Sequence, residues 1–149
     1  MKEVEGARGK LADTVDLVIM GYTQGKGKRV GFGVGQFLAG VKDGDKVLTV
    51  TKVGTGLTDE QLKDLRKRLE KVKTKDKPKE YEVHKDLTPD YWVYPQIVVE
   101  LAADEITVSP KHTARFALRF PRLVKFRDDK SFSQITTFDE LKNLWKLSH

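Results

Sequence analysis

KVLTVTKVGTGLTDEQLKDLRKRLEKV, residues 46–72, carries two different hydrophobic periods back to back. Lys46 to Val53 alternates, with Val47, Thr49, Thr51 and Val53 on one side of a strand. From Leu62 the spacing changes to three and four, through Leu65, Leu69 and Val72, which is one buried face of a helix. Thr58 and Gln61 form a capping-box pair, and Leu57 and Leu62 occupy the two positions of a hydrophobic staple. The spacing therefore predicts a helix beginning at about residue 59.

Working outward, Val15 to Tyr22 reads as a strand, and QGKGKR (24–29) interrupts the apolar pattern before it resumes from Phe32 to Val41. That pair is a hairpin with a basic tip. A turn signal at Gly40 to Asp45 then leads into the 46–53 strand, which makes three consecutive strands a meander. Beyond the helix, a charged linker from Lys71 to Lys79 contains Pro78. Strands return at Ile97–Leu101, Glu105–Val108 and Arg115–Arg127, the last broken by Pro121. Thr137 and Glu140 form a second capping box, opening a short helix with Phe138, Leu141, Leu144 and Trp145 as its apolar stripe. Strands, one helix, strands and a terminal helix fit a mainly β fold: a five- or six-stranded Greek-key OB barrel with a helix between strands three and four. An SH3-like barrel is the structural rival.

At 149 residues the chain is the length of one domain. Its 28 lysines and arginines exceed its 22 aspartates and glutamates, a balance of +6 that suits a polyanionic partner or an acidic membrane surface. No apolar run approaches the roughly 18 residues of a membrane span, and Met1 to Lys10 lacks the apolar core of a signal peptide, so a soluble, cytoplasmic protein is the simple reading. Cysteine is absent and the histidines are three, His84, His112 and His149, so no structural metal site is expected.

The charge is concentrated in residues 111–130, where Lys111, Arg115, Arg119, Arg122, Lys125, Arg127 and Lys130 face Asp128 and Asp129 alone. Strand alternation puts Phe116, Leu118 and Phe120 on one face and Arg115 and Arg119 on the other. Arginine forks match phosphate oxygens, and several in one plane can follow a nucleic-acid backbone; a solvated barrel face is the plainer alternative. The 63–79 run, with nine basic and three acidic residues, is by default a solvated helix face and linker. In QGKGKR, Lys26, Lys28 and Arg29 alternate with glycines, which fits a phosphate contact or an ordinary hairpin turn. It is not a Walker loop, since no Lys-Ser/Thr and helix follow, and GFGVG (31–35) lies within a strand rather than at the strand-to-helix turn of a dinucleotide site. No serine, histidine and acid fall into a local catalytic arrangement, and His112 reads as a polar loop residue.

DTVDLVIMGY (13–22), GKGKRVGFG (25–33), KVGTGLTDEQ (52–61), ADEITVSPKHTA (103–114) and ALRFPRLVKFRDDK (117–130), in this order, resemble the C-terminal OB domain of ATP-dependent DNA ligases. The last block looks like motif VI of the nucleotidyltransferase superfamily, its Arg-x-Asp-Lys core falling on Arg127, Asp128, Asp129 and Lys130. The resemblance implies an enzyme that seals nicks in duplex DNA through lysyl-AMP and DNA-adenylate intermediates, using ATP and magnesium that this domain alone does not hold stably. It implies that Arg127 and Lys130 reach the nucleotide phosphates, with Asp129 orienting these cations or the metal. It further implies that Arg119, Arg122, Lys52, Lys111 and the tip residues Lys26, Lys28 and Arg29 face DNA. Leu123 stands where some relatives press a phenylalanine into the minor groove, a departure that forfeits aromatic area. The implied partners are nicked duplex DNA and an adenylation domain of the same chain, residues 1–12 being the lead-in from that domain. No Lys-x-Asp-Gly tetrapeptide, the family's nucleophile motif, occurs in the sequence, so this segment is expected to be inactive alone. Alternatives are a stand-alone OB binder of single strands, disfavoured because Phe116 and Phe120 are expected to face the core, and an mRNA-capping guanylyltransferase domain, disfavoured by the KVGTGLTDEQ and SPKHTA blocks.

Overall fold

The computed structural model describes residues 14–24, 34–54 and 57–147, together with the backbone of 8–10. The basic tip with Lys26, Lys28 and Arg29 lies outside the described residues. In chain order the elements are β1 (Arg8–Lys10), β2 (Val15–Thr23), β3 (Gln36–Asp43), β4 (Lys46–Val53), α1 (Asp59–Val72), β5 (Lys73–Thr74), β6 (Tyr81–Glu82), β7 (Tyr91–Val93), β8 (Val98–Ala102), β9 (Glu105–Val108), β10 (Phe116–Arg119), β11 (Arg122–Phe126) and α2 (Phe138–Leu147). The larger sheet runs β11-β8-β2-β3-β4-β6, and β1-β9-β10 forms a second, three-stranded sheet. This is the OB arrangement, with the meander β2-β3-β4 followed by α1 as the spacing predicts.

The helix starts where its sequence says it should. Thr58 Oγ1 accepts from the Gln61 amide at 3.1 Å, and Gln61 Oε1 accepts from the Thr58 amide at 2.9 Å. Leu62, Leu65 and Leu69 are buried, each contributing on the order of 1.5–3 kcal/mol by leaving water. The second box is also formed, with Thr137 Oγ1 accepting from Glu140 at 3.2 Å and Glu140 Oε1 from Thr137 at 3.0 Å. Behind it, Trp145 and Phe138 close on Phe116, with ring centroids 5.6 and 6.4 Å apart.

β2 is apolar almost throughout because both of its faces are covered. Val15, Leu17 and Ile19 point into the main core, while Val18 and Met20 join a second cluster with Leu38, Val47, Tyr81, Leu87, Val98 and Ile135. The cover over that second face comes from the linker and from the residues after it, 80–93, to which the sequence reading assigns no element. The helix ends at Val72, Lys73–Thr74 pair with β7, β6 adds parallel to β4, and β7 adds to β2. The Tyr81 hydroxyl donates to the Val93 carbonyl at 2.7 Å, which lets a phenol be buried at little cost. Two glycines permit this layering. A Cβ at Gly21 would lie 2.6 Å from the Tyr91 carbonyl oxygen, and one at Gly40 would lie 2.3 Å from that of Leu48. Both sit at register shifts in their strands.

The two sheets meet through a pair of threonines. Thr113, in the loop before β10, accepts from the Thr49 amide at 2.8 Å, and Thr49 accepts from the Thr113 amide at 2.9 Å. Thr113 Oγ1 also donates to the Glu82 carbonyl at 2.7 Å, and the Ala114 amide donates to the Thr49 carbonyl at 3.1 Å. Thr113→Val keeps the side-chain shape and removes the hydroxyl, leaving the Thr49 amide and Glu82 carbonyl without partners. Urea unfolding should show a loss of about 2–4 kcal/mol. Thr113→Ser should restore most of it, and an unchanged midpoint for the valine variant would refute this role.

Candidate functional site

Asp16 on β2 and Glu100 on β8 stand directly opposite each other in the antiparallel ladder. Two carboxylates so placed repel, and both side chains are only 16% exposed. Arg127 resolves the conflict from just beyond β11, its Nη1 lying 3.4 Å from Asp16 Oδ1 and 3.5 Å from Glu100 Oε1. Its other edge is taken bidentately by Asp129, with Nε donating to Oδ1 and Nη2 to Oδ2, both at 3.0 Å. Lys130 Nζ donates to Asp16 Oδ2, and Thr14 Oγ1 donates to Glu100 Oε2 at 2.8 Å. Asp16 is fixed from behind by Thr136, whose amide donates to the Asp16 carbonyl at 2.9 Å and whose hydroxyl accepts from the Asp16 amide at 3.0 Å. The pairing raises the Arg127 pKa above its ordinary value and pulls Asp129 down to about 2, chiefly through their hydrogen bonds. Asp128 points the other way, onto α1, where Arg68 holds it at 2.5 and 3.2 Å while stacking over Phe126 at 4.1 Å. That bond lowers the Asp128 pKa and raises that of Arg68.

A second group of cations lies on the β9–β10 side. Arg119 and Lys52 line a cleft of about 430 Å³ together with His112, Ser109 and the β9 residues Thr107 and Val108. Arg115 and Phe120 both adopt positive φ, 70° and 57°. Arg115 closes the turn before β10, its amide donating to the His112 carbonyl at 2.7 Å and its carbonyl accepting from the Ser109 amide at 2.9 Å. Arg122 begins β11 and pairs with Asp104 at 2.8 Å. Lys111 stands 3.7 Å from Asp86, both well exposed, a pair of small energetic consequence.

The family model described as the ATP dependent DNA ligase C terminal region matches residues 31–130. The chain belongs to this family. Over 149 aligned positions it is 44% identical to a "Probable DNA ligase" of Dictyoglomus turgidum, covering 93% of this chain and 25% of that protein. It is 39% identical over 148 positions to the DNA ligase of Saccharolobus solfataricus, covering 93% of this chain and 24% of that protein. The chain thus spans about a quarter of the length of these relatives. Among solved structures, the ligase domain of LigD from M. tuberculosis superimposes with a TM-score of 0.69 at 27% identity, covering 86% of this chain and 39% of that one.

For this DNA ligase C-terminal domain, the structure brings Arg127, Asp129 and Lys130 together at one network and puts Lys52 and Arg119 together at another place. It corrects two expectations about the strand between them. Alternation fails at Phe120, whose positive φ ahead of Pro121 turns the ring outward to 59% exposure, with the Arg119 guanidinium 5.6 Å from its centroid. Leu123, which stands where some relatives press a phenylalanine into the minor groove, is 7% exposed, paired with Leu101 and packed into the core, so it offers little surface to a groove. Asp16, Glu100 and Arg68 are not visible as site residues in the sequence because their partners lie 111, 27 and 60 residues away. One signal points to the first of them: a lone acid in the otherwise apolar run VDLVIMGY. Among the described residues no group of three or more His, Cys, Asp or Glu has the arrangement to hold a metal ion. No described helix is long and apolar enough to cross a membrane.

The depressed Asp129 pKa is directly measurable. Carboxyl carbon NMR should place its titration near 2, and Arg127→Ala should return it toward 3.8. Because the folded value lies below the unfolded one, the pair's stabilisation is complete above the ordinary aspartate range and is lost as pH falls through about 2. An Asp129 that titrates alike with and without Arg127 would show that the pair does not form in solution.

Proposed function

We propose that this domain serves an ATP-dependent DNA ligase that seals nicks through lysyl-AMP and DNA-adenylate intermediates, and that it meets the nucleotide and the duplex with two separate sets of cations. Arg127 and Lys130 serve the nucleotide phosphates, whereas Arg119, Arg122, Lys52 and Lys111 serve the duplex backbone, as do the tip residues Lys26, Lys28 and Arg29. The observation that carries the proposal is the Asp16–Glu100–Arg127–Asp129–Lys130 network, which fixes two cations at one partly buried place.

Phosphoryl transfer is catalysed largely by positioning and by cations that neutralise developing charge, and the Arg127 fork has the geometry for that task. The fork is occupied by Asp129, whose side chain is 66% exposed and two residues along the chain. A phosphate that displaces this carboxylate meets the same two donors, while Asp16 and Glu100 keep Nη1 in place from behind. Asp129 thereby holds the guanidinium oriented until the nucleotide arrives. ATP and magnesium belong to the whole enzyme. This domain's part in that chemistry is cationic, through Arg127 and Lys130. A mycobacterial DNA ligase D complexed with ATP and MES superimposes with a TM-score of 0.64 at 25% identity, which supports ATP as the nucleotide of the whole enzyme.

The duplex half is tested on the isolated chain. Binding should be independent of sequence and weaken steeply with salt, with a Kd of roughly 10⁻⁴ to 10⁻⁶ M near physiological ionic strength, as for cations that read phosphate alone. Binding indifferent to salt would count against it, and a strong preference for single strands would point to base stacking on the exposed Phe120 instead.

The division of labour is tested in the full-length parent, in single-turnover assays of each step. Arg127→Ala or Lys130→Ala should slow AMP loading by about 10³-fold and spare sealing by enzyme that already carries AMP. Arg119→Ala and Arg122→Ala should leave loading near normal and weaken nick binding and its salt dependence. Equal, modest losses in both steps for all four variants would reduce the segment to a structural strand.

A further inference from the structure

Several cations of the basic segment and the helix beside it are held in ion pairs. Arg127 and Lys130 face three carboxylates, Arg68 holds Asp64 and Asp128, Arg122 holds Asp104, and Lys111 stands near Asp86. Lys52 and Arg119 have no carboxylate within ion-pair distance among the described residues, and both line the 430 Å³ cleft between β4, the β9–β10 hairpin and the Ser109–His112 turn. Unneutralised cations converging on a concave site call for an anion. The apolar part of the wall, including Leu87, Val108 and Pro110, lowers the local dielectric and strengthens whatever charge pairing forms there.

His112 completes the site. Ser109 Oγ lies 2.8 Å from its Nδ1. With the serine hydroxyl donating to that nitrogen, the ring proton resides on Nε2, making the neutral imidazole a donor. Burial first, and the Lys52 charge second, hold the His112 pKa down to about 4, so the ring carries no charge at physiological pH. The turn that presents it is rigid, held by the Thr49–Thr113 exchange on one side and by the Arg115 amide on the His112 carbonyl on the other.

We propose that this cleft seats a single phosphodiester of a duplex strand, with Lys52 and Arg119 as its cations and the neutral His112 as a hydrogen-bond donor. The inference rests on the duplex half of the proposed function and narrows it to one place. It also yields a readout that nonspecific backbone contact lacks. A phosphate in the cleft offsets the Lys52 charge and favours the imidazolium, so the His112 pKa must rise on binding, and affinity must grow as pH falls through the same range. The other ionisable groups around the site are Glu105, opposite Arg119 in the ladder, Lys111 with Asp86, and His84, which is 3.8 Å from Asp86.

The test is an imidazole NMR titration of the 149-residue chain, with signals assigned by His112→Gln and His84→Gln, alone and with a duplex of about one helical turn. Alone, His112 should titrate near 4; with duplex it should rise to between about 5 and 7. Lys52→Gln and Arg119→Gln should each reduce duplex affinity by about tenfold and shrink the rise. Duplex binding seen at other residues with His112 unmoved would overturn the cleft and leave the broader DNA reading standing. An equal rise at His84 would reveal a general field of the bound polyanion and likewise overturn it. ATP at equal phosphate concentration raising His112 as far as the duplex does would overturn the backbone assignment. No duplex binding at low salt would remove the DNA reading, and the cleft with it.

Discussion

Thr49 and Thr113 exchange amide-to-hydroxyl hydrogen bonds across sixty-four residues of sequence, and the rest of the working surface hangs from that contact. On one side is β4, the last strand of the meander; on the other is the loop that leads into β10. The exchange satisfies two backbone donors that would otherwise face a water-poor seam between the sheets, where an unpaired amide is costly. Because it is reciprocal it also fixes register, since a slip of one residue loses both bonds together. The loop so anchored brings His112 and Ser109 over Lys52 and Arg119, while the buried Phe116 passes beneath to meet Phe138 and Trp145.

A second constraint acts at the other end of the barrel and has the opposite character. Asp16 opposite Glu100 is a local conflict within the ladder, one that isolated strands would avoid. Its resolution by Arg127 and Lys130 makes two carboxylates useful: they specify where two cations must stand. An apolar pair at these positions would serve the sheet better, as buried ion pairs generally add little net stability over packed hydrophobes. The presence of charge here therefore makes sense as positioning, with Thr136 and Thr14 holding the carboxylates as the carboxylates hold the cations.

The elements legible in the sequence are those whose signals are local. Both capping boxes, the leucine face of α1, and the bounds of β4 and β9 follow from residues within a turn or a strand of one another. The cover formed by β5, β6 and β7 is not legible, because its strands are two or three residues long, too short to show a period, and owe their conformation to the sheet they complete. Alternation misplaces Phe120 because it assumes extended backbone, and a positive φ ahead of a proline breaks the pattern for the residues beyond it. Resemblance alone puts Leu123 at the surface, yet the β11–β8 register with Leu101 turns it inward. Of the site, the cations are visible in the sequence as a cluster of charge. Their carboxylate partners, supplied by distant strands, are not.

The distribution of partners among these cations separates two physical tasks on one barrel. A cation that must meet a small, highly charged ligand in one orientation benefits from being held beforehand, even by groups the ligand must in part displace, since the cost of ordering is then met in folding rather than in binding. Arg127, gripped on both edges and 19% exposed, is of this kind. A cation that meets a long polyanion at many equivalent positions gains nothing from such precision, and a carboxylate partner would only cancel the charge that draws the strand in. Lys52 and Arg119, beside an open cleft and without such partners among the described residues, are of that second kind. Arg119 and Arg127, neighbours in one basic run of the sequence, thus become once folded a charge that is offered, beside Lys52 from another strand, and a charge that is stored.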